Sequence, residues 1–372
     1  MTNKFSKLIF IDSLFTPVYY LASGTLPLLF SPNKKKEKVI AIKFFGMGSL
    51  VRMANTLKQS DFSYSNLELI TLDKNKNVAD LLEIKAHYIR TNNPFSLFWD
   101  LFKVIIQVWQ MKKIVIVDLE RTSKLSGILR LICSIGASCS SFTLKNENVE
   151  KNNQRFISLK AKTMSQAINE LFDLKKLPEK VVFNETVENG KIVININAGD
   201  YLRQRKYAIE HFIEVISSLS ESDNSLEFIL IGSKKEKSYT QQLTNRLDEL
   251  KINYTNTTGS LSLKELAQLL QNSQLLITND SGPLHLAYYF NVQTVAIWGP
   301  TSPYLVGYPD SCRMKNVSLE KECSPCFIHP KSKVAAACNG RIDCLTNLNP
   351  QKVVNVVMEL IQDKNKSLHN VG

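Results

Sequence analysis

The chain has 372 residues, 44% of them hydrophobic and 22% charged, with a formal net charge of +12. This composition excludes a disordered chain and is long enough for two domains of ordinary size. The positive excess calls for an acidic partner, either a phosphorylated substrate or anionic lipid; nucleic acid is not expected, because no compact basic motif interleaved with aromatics occurs.

Residues 8–30 (LIFIDSLFTPVYYLASGTLPLLF) are apolar and aromatic, with Lys4 and Lys7 before them and Lys34, Lys35, Lys36 and Lys38 after. A spanning helix needs roughly 20 clean apolar residues, and Asp12, Pro17, Gly24 and Pro27 interrupt this run. Residues 1–37 are therefore expected to anchor on an anionic membrane surface. Packing against the protein's own core, a spanning helix and a signal peptide are the alternatives.

From residue 38 onward strands and helices alternate. Residues 38–45 (KVIAIKFF) predict a first strand, Gly46-Met47-Gly48-Ser49 a turn, and a helix from near Leu50. A strand is expected at 67–72. Residues 95–111 predict an apolar helix whose stripe of Phe98, Leu101, Phe102, Ile105 and Trp109 is assigned to the core, a membrane-facing surface being the alternative. Residues 113–119 (KIVIVDL) predict a buried strand ending at Asp118, followed by a helix over 122–135. Residues 144–154 and 177–190 are polar connectors, and the second sets a domain boundary, giving domains over 38–185 and 186–350. In the second domain we expect strand 192–196, helix 208–219, strand 226–231, helices 235–249 and 262–272, and strand 275–277. A helix from Pro283 and a strand at 294–298 come next. A final helix over 351–362 and a loose tail complete 351–372. The alternation predicts an α/β chain of two doubly wound, Rossmann-like domains facing a central cleft.

The most specific stretch is 276–301, LITNDSGPLHLAYYFNVQTVAIWGPT. It reads strand, tight polar turn, helix, strand. Pro283 suits the first helical position, and Asp280 or Ser281 can cap the helix. A helix start of this kind aims backbone N–H groups and a dipole at one point, and His285 adds a donor, so the element suits a diphosphate. The full string resembles the signature of glycosyltransferase family nine, the ADP-heptose:lipopolysaccharide heptosyltransferases. The matching residues are Asp280, Ser281, Gly282, His285, Ala287, Gly299, Pro300 and Thr301. Phe228–Gly232 and Thr258–Leu266 are similar to the family's preceding strand, turn and helix. The resemblance covers about residues 38–362, more weakly in the first half, and implies a GT-B fold.

The family carries a donor-contacting lysine two residues before a Trp-Pro pair; here Arg205 takes that place, with Tyr207 for Trp and Ala208 for Pro. The resemblance thus implies a donor site of Asn197, Arg205, Lys206, Asp280, Ser281, Gly282, His285, Gly299 and Thr301. Arg can grip a diphosphate through two bonds, whereas a solvated basic loop is the plain alternative. Base recognition is expected near Gly232-Ser233 and Thr258-Gly259.

On the acceptor side, Gly46-Met47-Gly48-Ser49 stands where the family has Gly-any-Gly-Asp, whose aspartate is the expected catalytic base. A serine has no useful basicity at neutral pH without a partner. Glu120, or Asp118, is expected to take the acceptor proton while Ser49 positions the hydroxyl. The alternatives are that Asp118 caps the following helix and Glu120 is a surface charge, or that the chain has no base and is inactive. Gly46 and Gly48 let backbone approach the acceptor. Arg121 and Lys124 would bind an anionic acceptor, or merely form a solvated helix face.

Cys323, Cys326, Cys338 and Cys344 fall within 22 residues. The first pair has zinc-knuckle spacing and the second does not, so free thiols are preferred over structural zinc. Cys133, Cys139 and Cys312 are expected to be buried. An odd total of seven cysteines, without a convincing secretion signal, suits a reducing cytosol.

The expectation is a metal-independent, cofactor-free glycosyltransferase at the cytoplasmic face of a bacterial inner membrane. It would move a sugar, by resemblance a heptose from ADP-heptose, to a lipid-linked or surface-glycan precursor. A sugar-nucleotide epimerase, a non-catalytic sugar-nucleotide-binding protein and a family member with a changed donor are the alternatives.

Overall fold

The computed structural model describes residues 38–368, apart from 112, 121–122, 136, 144, 146, 152–153, 160–161, 175–186, 188, 200–201, 328–333 and 335. The expected anchor over 1–37, the boundary at residue 185 and the end of the tail lie outside the described residues. The chain divides into two compact units, Met1–Lys180 and Val181–Gly372.

The first unit holds β1 (Lys38–Ile42), β2 (Leu67–Leu72), β3 (Lys85–Ile89), β4 (Ile114–Asp118), β5 (Ser138–Thr143), β6 (Val149–Lys151) and β7 (Gln154–Ser158). Their sheet order is β3-β2-β1-β4-β5-β7-β6. All pairs are parallel except β6–β7. Its helices are α1 (Met47–Lys58), α2 (Lys76–Leu81), α3 (Pro94–Trp109), α4 (Lys124–Cys133) and α5 (Met164–Phe172). Ile40, Ile42, Ile70, Leu72 and Ile116 pack with Leu97, Val104 and Leu129 in one core cluster.

The second unit holds β8 (Lys191–Asn195), β9 (Glu227–Leu230), β10 (Tyr254–Asn256), β11 (Leu275–Asn279), β12 (Thr294–Trp298) and β13 (Met314–Ser318). They form an all-parallel sheet in the order β10-β9-β8-β11-β12-β13. Its helices are α6 (Ile209–Ser222), α7 (Lys237–Glu249), α8 (Leu263–Gln271), α9 (Gly282–Tyr289), α10 (Pro303–Val306), α11 (Asp343–Thr346) and α12 (Pro350–Leu368). A parallel sheet must cover both faces, which is why β11 and β12 are buried along their whole length.

In each sheet the order reverses direction beside the first strand, between β1 and β4 and again between β8 and β11. Connections leave such a point on opposite faces, so a crevice opens at the carboxyl ends of the two strands. The expected catalytic, acceptor and donor residues before Gly299 end or follow one of these four strands, whereas the expected base-recognition stretches follow β9 and β10.

Three expectations need correction. The first helix begins at Met47 rather than near Leu50, because Gly46 takes φ 86° and turns the chain at once. The polar stretch 144–154 is not simply a connector; it contains β6 and leads into β7. Helix α3 starts where expected, with Pro94 at its first position and Asn93 capping Ser96 N–H at 2.8 Å. Its buried face, however, is Leu97, Asp100, Val104 and Val108. Phe98, Phe102 and Trp109, assigned to the core, are exposed.

Candidate functional site

In the first unit the turn after β1 is built around Glu120, two residues past β4. Its Oε1 accepts from Phe44 N–H at 2.7 Å, Phe45 N–H at 2.9 Å and Lys43 Nζ at 3.0 Å. All three bonds fall on one carboxylate oxygen. Glu120 is thus no surface charge. Asn75 Nδ2 donates to Phe44 O at 3.0 Å and fixes the turn from the β2 side. Lys74 stands over the Phe45 ring, 4.9 Å from its centroid. Burial lowers the Lys74 ammonium pKa, and the Glu120 and Asp73 carboxylates partly offset this.

Asp118 is buried beneath this layer. Its Oδ1 accepts from Glu120 N–H at 2.9 Å and its Oδ2 from Ser126 Oγ at 3.1 Å, with Arg130 Nε 3.7 Å away. Burial pushes its pKa up to about 7 against the pull of Arg130. Through Ser126 it braces the first turn of α4, whose cap is Ser123. Ser49 lies in the first turn of α1, its N–H bonded to Gly46 O at 3.1 Å. A side chain on Gly46 would meet Ser49 Oγ at 3.2 Å. Gly48 occupies the same turn, and Lys124 opens α4. Arg121 is outside the described residues.

In the second unit the expected donor residues gather at the carboxyl edge of the sheet. Ser281 is the residue before α9, but its side chain makes no capping bond to the helix. Instead Asn195 Nδ2 donates to Ser281 Oγ at 2.7 Å and to Thr278 Oγ1 at 2.8 Å. Asp280 does not cap either; its carboxylate lies 3.3 Å from Arg205 Nη1. The first turn of α9, from Gly282, is therefore left without a side-chain cap, as anion binding by its N–H groups requires. His285 sits in that turn, buried, with Nδ1 3.0 Å from Tyr308 Oη. Tyr308 in turn stacks on Tyr288 at 3.6 Å.

The loop after β8 docks onto the same edge. Arg205 Nη2 donates to Ala198 O at 2.7 Å, and Tyr207 N–H to Asn279 Oδ1 at 3.0 Å. Tyr207 Oη donates to Leu348 O at 2.6 Å. Lys206 is placed apart from Arg205, with Nζ 3.6 Å from the Tyr239 ring centroid. Gly299 is packed so tightly that a Cβ there would lie 2.5 Å from Leu345 Cγ. A cavity of about 440 Å³ opens beside Gly299 and Thr301, lined also by Ser302, Glu320 and Lys321.

Four buried polar atoms at this edge have no hydrogen-bond partner among the described residues: Asn197 Oδ1, Thr258 Oγ1, Asn279 Nδ2 and Thr301 Oγ1. They stand at or just past the ends of β8, β10, β11 and β12. Buried polar groups are nearly always paired, so a set left open along one sheet edge leaves hydrogen bonds there for water or a polar ligand to make. Asn195, Thr278, Tyr308 and Lys43 were not anticipated. The only local signal for Asn195 was a polar residue inside an otherwise apolar strand, ININ.

All seven cysteines are free. Cys323, Cys326, Cys338 and Cys344 line one cavity of about 20 Å³ with Pro300 and Ile342. Backbone N–H groups, that of Asp343 first, lower the Cys338 thiol pKa, whereas burial raises that of Cys344 to about 11. Among the described residues no group of three or more His, Cys, Asp or Glu side chains is arranged to hold a metal ion. Cys133 and Cys139 are buried as expected; Cys312 is exposed, a correction.

The sequence profile of Glycosyltransferase family 9 (heptosyltransferase) matches residues 141–336, more than half of the chain. A lipooligosaccharide heptosyltransferase 2 of Campylobacter jejuni is 29% identical over 202 residues, covering 54% of this chain and 61% of that protein. One from Haemophilus influenzae is 36% identical over 75 residues, 20% of this chain and 22% of that protein. The chain thus aligns with about three-fifths of the length of the Campylobacter relative. Among solved structures, Escherichia coli ADP-heptose lps heptosyltransferase II has a TM-score of 0.62 at 16% identity, covering 88% of this chain and 99% of that one. The glycosyl transferase family 9 protein from Veillonella parvula reaches 0.67 at 15%, covering 90% and 100%. At such identity the likeness establishes the fold, which is GT-B.

Proposed function

Because the chain belongs to glycosyltransferase family 9, we propose that it transfers a heptose from ADP-heptose to a lipopolysaccharide or lipooligosaccharide precursor at the inner face of the inner membrane. The observation that carries this reading is the run of unpaired buried polar atoms, Asn197 Oδ1, Thr258 Oγ1, Asn279 Nδ2 and Thr301 Oγ1, beside the uncapped start of α9. That arrangement suits a polar, anionic ligand such as a sugar nucleotide. The heptosyltransferase 2 names of the aligned relatives support heptose as the sugar.

In this reading the second unit binds the donor. The diphosphate lies on the first turn of α9, with His285 as a further donor and Arg205 supplying charge. These groups stabilise the leaving ADP as the anomeric bond breaks. The first unit binds the acceptor at the Gly46 turn. Glu120 takes the acceptor proton through Oε2, while its Oε1 stays bonded to the turn, and Ser49 orients the hydroxyl. Asp118 is a positioning residue, since it is buried and holds Glu120 N–H. Lys124 contacts the acceptor's anionic groups. The transfer proceeds without a metal.

Thermal unfolding with ADP, GDP, UDP, CDP and their common sugars, each with and without EDTA, tests the donor reading. A ligand that binds only the folded protein raises Tm by mass action. Selective stabilisation by ADP or ADP-heptose, unchanged by EDTA, is the expected result. Selective stabilisation by another nucleotide would move the donor, and no response to any nucleotide would overturn the reading. Donor binding without turnover on any lipid-linked acceptor would favour a non-catalytic binding protein, the alternative that Ser49 in place of the family's aspartate supports.

A further inference from the structure

Helix α3 carries two apolar faces. One is the buried face already described. The other consists of Phe95, Phe98, Trp99, Phe102, Ile106 and Trp109, spaced by three, four, seven, eleven and fourteen residues from the first. That spacing puts them on one stripe roughly 100° wide. Phe95 is 78% exposed, Phe98 69%, Phe102 and Trp109 48% each, and Trp99 43%. Scattered exposed apolar residues are ordinary, but five large aromatics along one helix face mark an interaction surface.

The surroundings say what covers it. The one acidic residue of α3, Asp100, is on the buried side and is held by Arg90 through Nε and Nη2 at 2.8 Å each. No carboxylate on this helix faces outward with the aromatics. Lys103 flanks the stripe, its Nζ 5.3 Å from the Trp99 ring. Residues 90–113 contain four basic side chains and one acidic, within a chain of net charge +12. A second copy would bring positive charge against positive charge, whereas an anionic surface complements it. Trp and Phe are side chains that settle at the headgroup level of a bilayer, with lysines above them on the phosphates. Trp109 is pre-set for this: its Nε1–H is bonded to Ile132 O at 2.9 Å, leaving the outer part of the ring exposed. Among the described residues no helix is long and apolar enough to cross a membrane.

We infer that the outer face of α3 is a membrane-docking surface that lies in the headgroup layer of an anionic bilayer. This deepens the reading above, since it places the acceptor-binding unit where a lipid-linked acceptor would be presented. Its test needs neither donor nor acceptor.

The full chain is co-sedimented with vesicles of phosphatidylcholine and phosphatidylglycerol at 3:1, and with phosphatidylcholine alone. The variant carries Phe98→Ser, Trp99→Ser and Phe102→Ser. These positions are solvent-facing, so Tm should be kept, and residues 1–37 are present in both proteins. Binding to the anionic vesicles is expected to fall at least tenfold in the variant, and Lys103→Glu to weaken it further at low salt than at high salt. Brominated lipids should quench part of the parent's tryptophan fluorescence, because Trp298 is buried out of reach of the quencher and the quenchable part comes from Trp99 and Trp109. Equal vesicle binding by variant and parent would overturn the inference. So would a parent dimer, dissociated by the triple substitution, that binds no vesicles; a second copy would then be the occupant. Stabilisation of the triple variant by ADP, measured alongside, keeps failure of this inference distinct from failure of the donor reading.

Discussion

Arg205 Nη1 lies 3.3 Å from the Asp280 carboxylate, joining the loop after β8 to the residue that precedes the cap of α9. The pair places a cation at the start of the helix without spending the helix's own N–H groups. Arg205→Ala removes that cation and also leaves Asp280 buried, beside the proposed diphosphate position, without its partner. ADP affinity is expected to fall by about tenfold to a hundredfold, the worth of one or two charge-assisted bonds. Arg205→Lys should recover only part of it, lacking the planar fork. Calorimetric titration with ADP reads both, and an unchanged Kd in Arg205→Ala would remove Arg205 from the donor site.

Glu120→Gln keeps an oxygen able to accept from the Phe44 and Phe45 N–H groups but gives up the charge. If Glu120 is the base, kcat should fall by about a hundredfold or more with ADP binding retained. Glu120→Ala should in addition lower Tm, because it strands the two backbone donors. Full turnover by Glu120→Gln in a defined acceptor assay would leave the residue only its role in the turn.

Gly232 follows β9 and packs beside Asn197 and Thr258, two of the residues that carry an unpaired buried atom. A Cβ there would lie 2.8 Å from Asn197 Nδ2 and 3.0 Å from Thr258 Cγ2. Gly232→Ala must displace both, at a cost of about 1–3 kcal/mol for overpacking. Reduced ADP affinity together with a lower urea midpoint is expected. A stability loss with intact ADP binding would show that Asn197 and Thr258 do not contact the donor.

Glu68 is buried on β2 and accepts from Lys38 Nζ at 2.6 Å, Lys85 Nζ at 2.9 Å and His87 Nε2 at 2.7 Å. Burial alone would raise its pKa; the three donors outweigh it and hold the value at about 2, below the ordinary 4.5. The folded state therefore binds the proton less readily than the unfolded chain. Its stabilising contribution is complete above pH 4.5 and is lost as pH falls toward 2. The urea midpoint gap between parent and Glu68→Gln should be widest near neutrality and shrink below pH 4.5. A pH-independent gap would contradict the linkage.

The apolar runs of β1, β4, β11 and β12 were legible in the sequence because a strand covered on both faces has no polar side. Strand β3, KAHYI, was not. It lies at the sheet edge, where charge is tolerated and the pattern fades. Strand β5, SCSSFT, is interior yet polar; Ser140 is reconciled with burial by donating to Leu171 O at 2.9 Å. Neither the helix propensity of α3 nor its period could say which of two apolar faces turns inward. At the site, Asp280, Ser281 and His285 were readable as one continuous string. Lys43 with Glu120, Asn195 with Ser281 and His285 with Tyr308 were not, because the first two pairs form only when distant strands meet and the third only when the loop after α10 folds back onto α9.

The bonds from Phe44 and Phe45 to Glu120 bridge 76 and 75 residues. During synthesis at about 5–20 residues per second, the turn at Gly46 leaves the ribosome about 4–15 s before the side chain that holds it. Strand β1 must also wait for β4 on its other side. The nascent first unit therefore passes through an interval in which its glycine turn is made but unlatched. Chains truncated before residue 120 should lack the latched form of the Gly46 turn, so a stalled ribosome releases a fragment in which that turn is not held by Glu120.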